Sequence, residues 1–286
     1  MAAERTVAQS LQEYGRGIAG GLLFSLPLLY TQEVWHAGAT LHLGRVALGL
    51  VVTFALLLGY NRYAGLHKDA SFGEVLIDSV EELGLALLLS AAFLWMLGQL
   101  GGDTPLNETL GKLVVAALPV AIGVSVGTAQ FAGDDDDQGM TDAEGGDARA
   151  ISLAEQATLA TCGAVLVAVN VAPTEEIILI AFETTPLRLL LLALVSLTLC
   201  VVILFFSGFS GADRLTPTRT PLDIAAGTVL TYTVALLSAA VILWFFGRLD
   251  GLAPMMAVAS TVVLALPGAL GASAGRLLLA VGKDEG

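Results

Sequence analysis

The stretches LVVAALPVAIGVSVG at 113–127 and TVVLALPGALGASAG at 261–275 are two versions of one sequence. A Leu-Pro pair, a serine and two glycines recur at the same places, and Pro119 lies 148 residues before Pro267. Similarity within a chain at a fixed separation indicates that one structural unit occurs twice. These two stretches therefore decide how the rest of the chain divides.

Other apolar runs match in the same order. GLLFSLPLLYTQEVWH at 21–36 is similar to LVAVNVAPTEEIILIA at 166–181, and SAAFLWMLGQL at 90–100 is similar to SAAVILWFFGRL at 238–249 with one residue inserted. The order of the matches indicates an internal duplication. The matched polar residues, 143 positions apart, are Thr31 and Thr174, Glu33 and Glu176, and Arg45 and Arg188.

The composition is that of a polytopic membrane protein. Hydrophobic residues make up 56% of the chain and charged residues 14%, with a mean hydropathy of +0.80, whereas soluble domains carry about 25% charged residues. A spanning helix needs about 20 apolar residues, and eight stretches meet this length. They are 17–36, 43–62, 80–100, 110–131, 157–182, 187–209, 224–247 and 253–279.

We therefore predict an all-α fold with eight transmembrane helices in two four-helix repeats. Four is an even number, so each repeat returns to the side where it began and the two repeats are parallel. The predicted units are 1–131 and 155–286. An acidic linker at 132–154 joins them, and its run GDDDDQGMTDAEGGD has no apolar surface to bury and is predicted to be disordered.

The net charge of -13 and the excess of Arg over Lys indicate a halophilic protein. No basic patch is present to neutralise phosphates, so nucleic acid is not an expected partner. The expected partners are the lipid bilayer and a small ion or solute, and the oligomeric state stays open.

Basic residues are more frequent on the cytoplasmic side of membrane proteins. An orientation with both termini in the cytoplasm places nine basic residues inside and four outside, so we predict a multi-pass protein of the cell membrane in this orientation. The inner set is Arg5, Arg16, Arg62, Lys68, Arg149, Arg214, Arg219, Arg276 and Lys283, and the outer set is Arg45, Lys112, Arg188 and Arg248.

Proline occurs in the first and last predicted helix of each repeat. It lacks an N–H group and clashes with the preceding turn, so each proline is predicted to kink or break its helix. The kinks are either packing features or the walls of a central polar cavity, and Asn170 beside an interrupted helix favours the second interpretation. The four prolines are Pro27, Pro119, Pro173 and Pro267.

Glu33 and Glu176 have two interpretations. Ionisable groups within a span are costly and often functional, which makes both residues, with Thr31 and Thr174, candidates for an ion or substrate pathway. Alternatively, each glutamate precedes an arginine by twelve residues across a predicted hairpin. In that case Glu33 with Arg45, and Glu176 with Arg188, form structural ion pairs.

Glu175 has the neutral Gln32 as its counterpart, and no arginine stands at a matching distance. It is therefore the leading candidate for ion binding, with exposure at the outer surface as the alternative. The acids Asp78, Glu81 and Glu82 are predicted to lie in the first turn of the third helix, where they interact favourably with the helix dipole.

The remaining patterns predict structure and exclude several chemistries. Gly17-x-x-x-Gly21, Gly123-x-x-x-Gly127 and Gly271-x-x-x-Gly275 predict close helix packing. Cys162 and Cys200 lie in predicted spans and support neither a disulfide framework nor a zinc site. No histidine has metal-ligand spacing, so no metal or cofactor is predicted, and the lack of a nucleophile motif or phosphate loop weighs against an enzyme.

GRGIAGGLLFSLPLLYTQEVW at 15–35 and NVAPTEEIILIAFE at 170–183 resemble a family of bacterial and archaeal integral membrane proteins that is catalogued as a domain of unknown function. The resemblance extends over nearly the whole chain. It implies a stand-alone membrane protein of this length and of haloarchaeal type, and it implies no substrate or catalytic residue.

The leading functional hypothesis is a small transporter or channel, with a pathway between the repeats lined by the first, fourth, fifth and eighth predicted helices. The alternative is a non-transporting scaffold or sensor subunit in which the acids are structural. An intramembrane enzyme is the third hypothesis.

Overall fold

A computed structural model of the protein describes residues 7–65, 71–102, 104–131, 152–206 and 220–281. All regular elements within these ranges are helical. They are α1 (Val7–Leu29), α2 (Gln32–Thr40), α3 (Leu43–Ala64), α4 (Phe72–Met96), α5 (Leu106–Gln130), α6 (Leu153–Ala168), α7 (Glu176–Glu183), α8 (Pro186–Val201), a π-helical turn (Val202–Phe206), α9 (Pro221–Phe245) and α10 (Pro254–Val281).

Several predictions fall on residues outside these ranges. They concern most of the acidic linker at 132–154, including its run at 133–147, and the basic residues Arg5, Lys68, Arg149, Arg214, Arg219 and Lys283.

Two of the eight predicted spans are interrupted in the structure. The stretch 17–36 comprises the second half of α1 and the start of α2, which are separated at Tyr30 and Thr31. The stretch 157–182 comprises most of α6, a non-helical connection at 169–175, and α7. Proline at 173 cannot donate the hydrogen bond that would continue the helix, so the second interruption has a local cause.

Among the described residues, five helices are long and apolar enough to cross a membrane by length and composition. They are α3, α5, α9, α10 and the run Pro186–Phe205 formed by α8 and its π-helical turn. The all-helical membrane fold is thus confirmed, and the prediction of eight spans is not. The interruptions in the two broken segments explain part of the difference, because neither segment is one continuous helix.

The prolines have unequal effects. Pro27, Pro119 and Pro267 lie inside the continuous helices α1, α5 and α10, so none of the three ends its helix at the proline itself. Pro173 lies in the connection between α6 and α7 and is buried there. The predicted helix break therefore occurs at Pro173.

The helices α4 and α9 have matching ends. Each begins with a capping box, formed by Ser71 with Glu74 in α4 and by Thr220 with Asp223 in α9. Each helix has 25 residues. Two positions after the end of each helix lies a glycine with a φ of 71°, Gly98 after α4 and Gly247 after α9. The two helices therefore correspond at a constant separation of 149 residues, without the inserted residue that the sequence comparison placed between them.

We call α1–α5 the first half of the chain and α6–α10 the second half. The first and last helices of each half, α1 with α5 and α6 with α10, cross at glycines. A Cβ atom on Gly20 of α1 would lie less than 3.0 Å from backbone atoms of Gly123 and Gly127 in α5. A Cβ atom on Gly163 of α6 would be equally close to Gly271 in α10. Small residues permit this backbone approach between membrane helices, which confirms the packing role predicted for the glycine motifs at 123–127 and 271–275.

These crossings define two ends of the bundle. At the end that we call the terminal end, α1, α4, α6 and α9 begin and α3, α5 and α10 finish. The opposite end, which we call the hairpin end, holds α2, α7 and the short connections at 41–42, 97–105 and 246–253. Between the halves, α6 packs on α3, with smaller contacts to α5 and α1.

We expect Gly20→Ala to lower the free energy of unfolding by about 1–3 kcal/mol, because the added methyl group would force the α1 and α5 backbones apart. The matched control is Gly84→Ala in α4, where a Cβ atom would meet nothing within 4 Å. That control should stabilise the protein by about 1 kcal/mol through helix propensity. Unfolding in mixed micelles measures both changes, and equal effects of the two substitutions would contradict the packing argument.

Candidate functional site

The leading candidate from the sequence, Glu175, is exposed at the start of α7, and so is Glu176. Thr174 is half-buried, and its hydroxyl donates to the backbone carbonyl of Val171 at 2.8 Å. Glu175 thus has the surface position that the sequence left as its alternative. These residues lie at the hairpin end of the bundle.

Asn170 links the two halves of the chain. Its side-chain amide donates to the carbonyl of Phe24 in α1 at 3.0 Å and to the carbonyl of Leu166 in its own half at 2.7 Å. Phe24 lies one turn before Pro27. The nitrogen of Pro27 carries no hydrogen, so this part of α1 lacks one backbone N–H donor. The amide oxygen of Asn170 is buried and has no hydrogen-bond partner.

The predicted ion pair between Glu33 and Arg45 is wrong. Arg45 instead makes two hydrogen bonds, of 2.8 and 2.9 Å, to the carboxylate of Asp250 in the α9–α10 connection. Its guanidinium also lies 5.1 Å from the centre of the Trp244 ring, which is within the range of a cation–π interaction. The sequence could not indicate this partner because the two residues are 205 positions apart.

The second predicted pair, Glu176 with Arg188, does not form among the described residues. Arg188 is exposed at the start of α8. Glu176 interacts electrostatically with Arg248, whose guanidinium donates to the carbonyl of Pro173. Arg248 therefore stabilises the break between α6 and α7.

Thr31 and Glu33 occupy the corresponding place in the first half. Both are half-buried at the start of α2, and the Thr31 hydroxyl donates to the carbonyl of Pro27 at 2.7 Å. In the part of the chain that the structure describes, no hydrogen bond or ion pair connects these two residues with Thr174, Glu175 or Glu176.

A different carboxylate lies within the bundle. Glu82 belongs to α4 and is only 9% exposed. The acid in the first turn of α4 is Glu74, in the capping box, so Glu82 lies about 15 Å along the helix from its start, at a rise of about 1.5 Å per residue. The prediction that Glu82 caps the helix is therefore wrong, because α4 begins earlier than the apolar run indicated.

Asn61 of α3 is the centre of the hydrogen bonds around Glu82. Its amide nitrogen donates to the Glu82 carboxylate at 2.7 Å and lies 3.1 Å from the hydroxyl of Ser79. Its amide oxygen accepts from the hydroxyl of Ser125 in α5 at 2.8 Å. All four residues are buried, so three helices share one polar network inside an apolar bundle.

A small cavity connects this network with the terminal end. Its volume is about 30 Å³, which is room for one or two water molecules or a small cation. Tyr14 of α1 contributes its hydroxyl, which lies 3.4 Å from Glu81. The lining residues are Glu13, Tyr14, Asn61, Asp78, Glu81, Glu82, Leu85, Val124 and Thr128.

The electrostatics of the cavity favour a positive species. Four of its lining residues are acidic, and in the described part of the chain no basic nitrogen lies within 4 Å of the Glu82 carboxylate. A buried carboxylate without a cationic partner carries a proton or binds a cation. No group of three or more His, Cys, Asp or Glu residues in the described ranges could hold a metal ion.

A second cavity lies between the halves, among α3, α6 and α9. Its volume is about 270 Å³, and its walls are apolar apart from Thr53, Thr161 and Ser238. Phe245 narrows it at the hairpin end, where its ring lies against Gly49. This space differs from the polar pathway that was predicted between the repeats.

The sequence did contain a signal for Glu82. The buried positions of α4 are spaced by three or four residues and include Ser79, Glu82, Ala86 and Ser90, which is the spacing of one helix face. A glutamate on a face of small residues indicates a helix interface with a polar centre. No comparable sequence pattern marks Asn61, because its hydrogen-bond partners lie on α4 and α5.

A family model with the description "Putative integral membrane protein (DUF2391)" matches residues 13–279. The comparison with curated proteins and the comparison with solved structures find no match.

The contact between Arg45 and Asp250 generates a pH-dependent prediction. The hydrogen bonds from Arg45 lower the pKa of Asp250, which lies outside the spanning helices. Their stabilising effect is therefore present above the usual aspartate pKa of about 3.9 and is lost as the pH falls towards the lower folded-state pKa. We expect Asp250→Asn to lower the Tm at neutral pH, with a difference from wild type that shrinks below about pH 4.

Thermal unfolding across this pH range measures the effect, with Glu183→Gln, an exposed acid at the end of α7, as the control. A difference between Asp250→Asn and wild type that stays constant with pH would show that the ion pair does not contribute.

Proposed function

This chain belongs to a family of integral membrane proteins, and we propose that it is a small transporter or channel in which Glu82 binds a proton or a monovalent cation. One observation carries the proposal. The Glu82 carboxylate is buried among α3, α4 and α5, has an amide rather than a cation as its partner, and borders an acidic cavity. Carboxylates at this depth commonly belong to ion pathways.

The surrounding groups support reversible binding. The Asn61 amide can donate to an ionised carboxylate, and it also accepts from Ser125, so its orientation is held from two sides. Glu81 also borders the cavity and would raise the local concentration of cations there. An ion would enter from the terminal end and reach Glu82 through this cavity.

The predicted pathway residues lie at the opposite end. In this proposal Thr31 and Glu33 would form the mouth of the first half at the hairpin end. Asn170, Thr174, Glu175 and Glu176 would occupy the corresponding place in the second half. The interrupted helices there support this role, because non-helical backbone at membrane depth commonly lines a binding site or cavity.

We also propose that the chain is a duplication with eight membrane-crossing segments and both termini in the cytoplasm. The support is the recurrence of features in the same order: an interrupted first helix, a capping box on the third helix, and a glycine crossing between the first and last helices. Arg276 no longer counts among the inner loop residues, because it is buried inside the bundle. Eight inner basic residues against four still favour this orientation.

A scaffold without transport is the second candidate. The bidentate contact of Arg45 with Asp250 fastens α3 to the α9–α10 connection, and the hydrogen bond of Asn170 to Phe24 fastens the α6–α7 connection to α1. Both contacts join the two halves, as a rigid assembly module would require.

Ion flux tests the transport proposal. Purified protein in liposomes is given a gradient of protons, Na⁺ or K⁺, and wild type should dissipate at least one of them. We expect Glu82→Gln to reduce the rate by at least about tenfold, because a neutral amide can hold neither the proton nor the cation charge. Glu183→Gln, at an exposed position, is the matched control and should retain the wild-type rate.

Two results would contradict the proposal. An unchanged rate in Glu82→Gln would remove Glu82 from the pathway. A wild-type protein that dissipates none of the three gradients would favour the scaffold.

Side-specific labelling tests the parallel repeats. Single cysteines replace Leu11 and Ala154, which are exposed, lie 143 positions apart and mark the terminal end of each half. Single cysteines at Thr40 and Glu183, which are also exposed and 143 positions apart, mark the hairpin end. In a background without Cys162 and Cys200, we expect a membrane-impermeant maleimide to reach Leu11→Cys and Ala154→Cys from the same side. It should reach the other two from the opposite side. Labelling of Leu11→Cys and Ala154→Cys from opposite sides would rule out parallel repeats.

A further inference from the structure

The place that corresponds to the Glu82 network in the second half contains an arginine. At the separation of 149 residues between α4 and α9, Glu82 corresponds to Thr231. At the separation of 148 residues between α5 and α10, Thr128 corresponds to Arg276. The charged residues themselves are therefore not at matching positions, but each lies beside the threonine that corresponds to the other: Thr128 lines the Glu82 cavity, and Thr231 accepts from Arg276.

Arg276 is 1% exposed and has only neutral partners. Its guanidinium donates to the carbonyl of Gly227 at 2.8 Å, to the hydroxyl of Thr231 at 2.5 Å, and to the side-chain oxygen of Gln156. Within the described ranges, no carboxylate oxygen lies within 4 Å of this guanidinium. Its positive charge is therefore not compensated by the protein there.

A buried charge without a counter-charge is costly. Neutral hydrogen bonds orient a guanidinium, but they leave its net charge in place. An ion of opposite charge would supply the compensation that the described residues do not.

Further buried polar groups lie around the Cys200 thiol, which interacts electrostatically with Arg276. The Nε atom of Arg276 and the hydroxyl of Tyr232 on α9 are buried without a hydrogen bond. The hydroxyl of Ser273, one turn earlier on α10, is also buried and has the Cys200 thiol as its polar neighbour. The Cys200 thiol of α8 is fully buried and interacts electrostatically with Arg276 and Tyr232. Each of these four groups can donate a hydrogen bond, so three helices bring donors together around one positive charge.

We propose that Arg276, Ser273 and Tyr232 bind a small inorganic anion, with chloride as the probe, among α8, α9 and α10. The anion would accept hydrogen bonds from the Arg276 Nε and from the two hydroxyl groups, and it would neutralise the guanidinium. A single positive charge favours a monovalent ion. The site is separate from the cation cavity at Glu82, because it is built from the other half of the chain.

Thermal unfolding of the purified full-length protein tests this site in two salts of equal concentration, sodium chloride and sodium gluconate. An ion that binds only the folded state raises the Tm, and 1 kcal/mol of binding corresponds to a rise of about 2–4 °C for a protein of this size class. We expect the wild-type Tm to be higher in chloride by at least this amount. Gluconate is too large to enter a site enclosed by packed helices.

Two substitutions remove a single hydroxyl each and should leave the fold intact, namely Ser273→Ala and Tyr232→Phe. We expect each to lose most of the chloride-dependent rise in Tm. The matched control is Ser90→Ala in α4, which removes a buried hydroxyl without a hydrogen-bond partner and lies in the other half of the chain. This variant should keep the full rise.

Equal Tm values of wild type in the two salts would overturn the proposal. So would a full chloride effect in both Ser273→Ala and Tyr232→Phe, or an equal loss in Ser90→Ala. None of these measurements depends on ion flux, so their outcome is separate from that of the Glu82 experiments.

Discussion

The close crossing of the first and last helix in each half is the constraint on which the rest of the structure depends. In a bilayer the apolar side chains gain little by leaving lipid, so helices associate through tight packing and polar contacts. Gly20 with Gly127, and Gly163 with Gly271, bring two backbones so close that any side chain would separate them. These crossings set the relative height of the helices, and hence which polar residues meet near the terminal end.

In the first half, this arrangement brings Glu13 of α1 to the cavity that also contains Thr128 of α5 and Glu82 of α4. In the second half, the same arrangement brings Gln156 of α6 to Arg276 of α10. Under the proposed duplication, these two sets of residues would be variants of one arrangement that enclose charges of opposite sign. An isolated buried charge of either sign is costly, so the two halves would need ions of opposite sign. This requirement links the cation site to the anion site proposed above.

The halves are held together differently from the way each is built. Glycines dominate the contacts within a half, whereas polar side chains reach across the junction, as in Arg45 with Asp250 and Asn170 with Phe24. The space left between α3, α6 and α9 is apolar. Any route for ions in this arrangement would therefore run inside a half, beside Glu82, more readily than along the junction between the halves.

The sequence by itself determined the membrane class, the helical fold and the positions where the helix packing depends on glycine, because hydropathy, helix length and small-residue spacing are properties of single segments. It also included Pro173 among four candidate kinks or breaks, but the structure shows that the other three prolines lie inside continuous helices. Only the tertiary structure decided the partners of the charged residues. Arg45 pairs with Asp250 instead of Glu33, Glu175 is exposed, and Glu82 and Arg276 are buried. A charge acts on whatever lies near it in space, and residues brought together from three helices have no fixed separation along the chain.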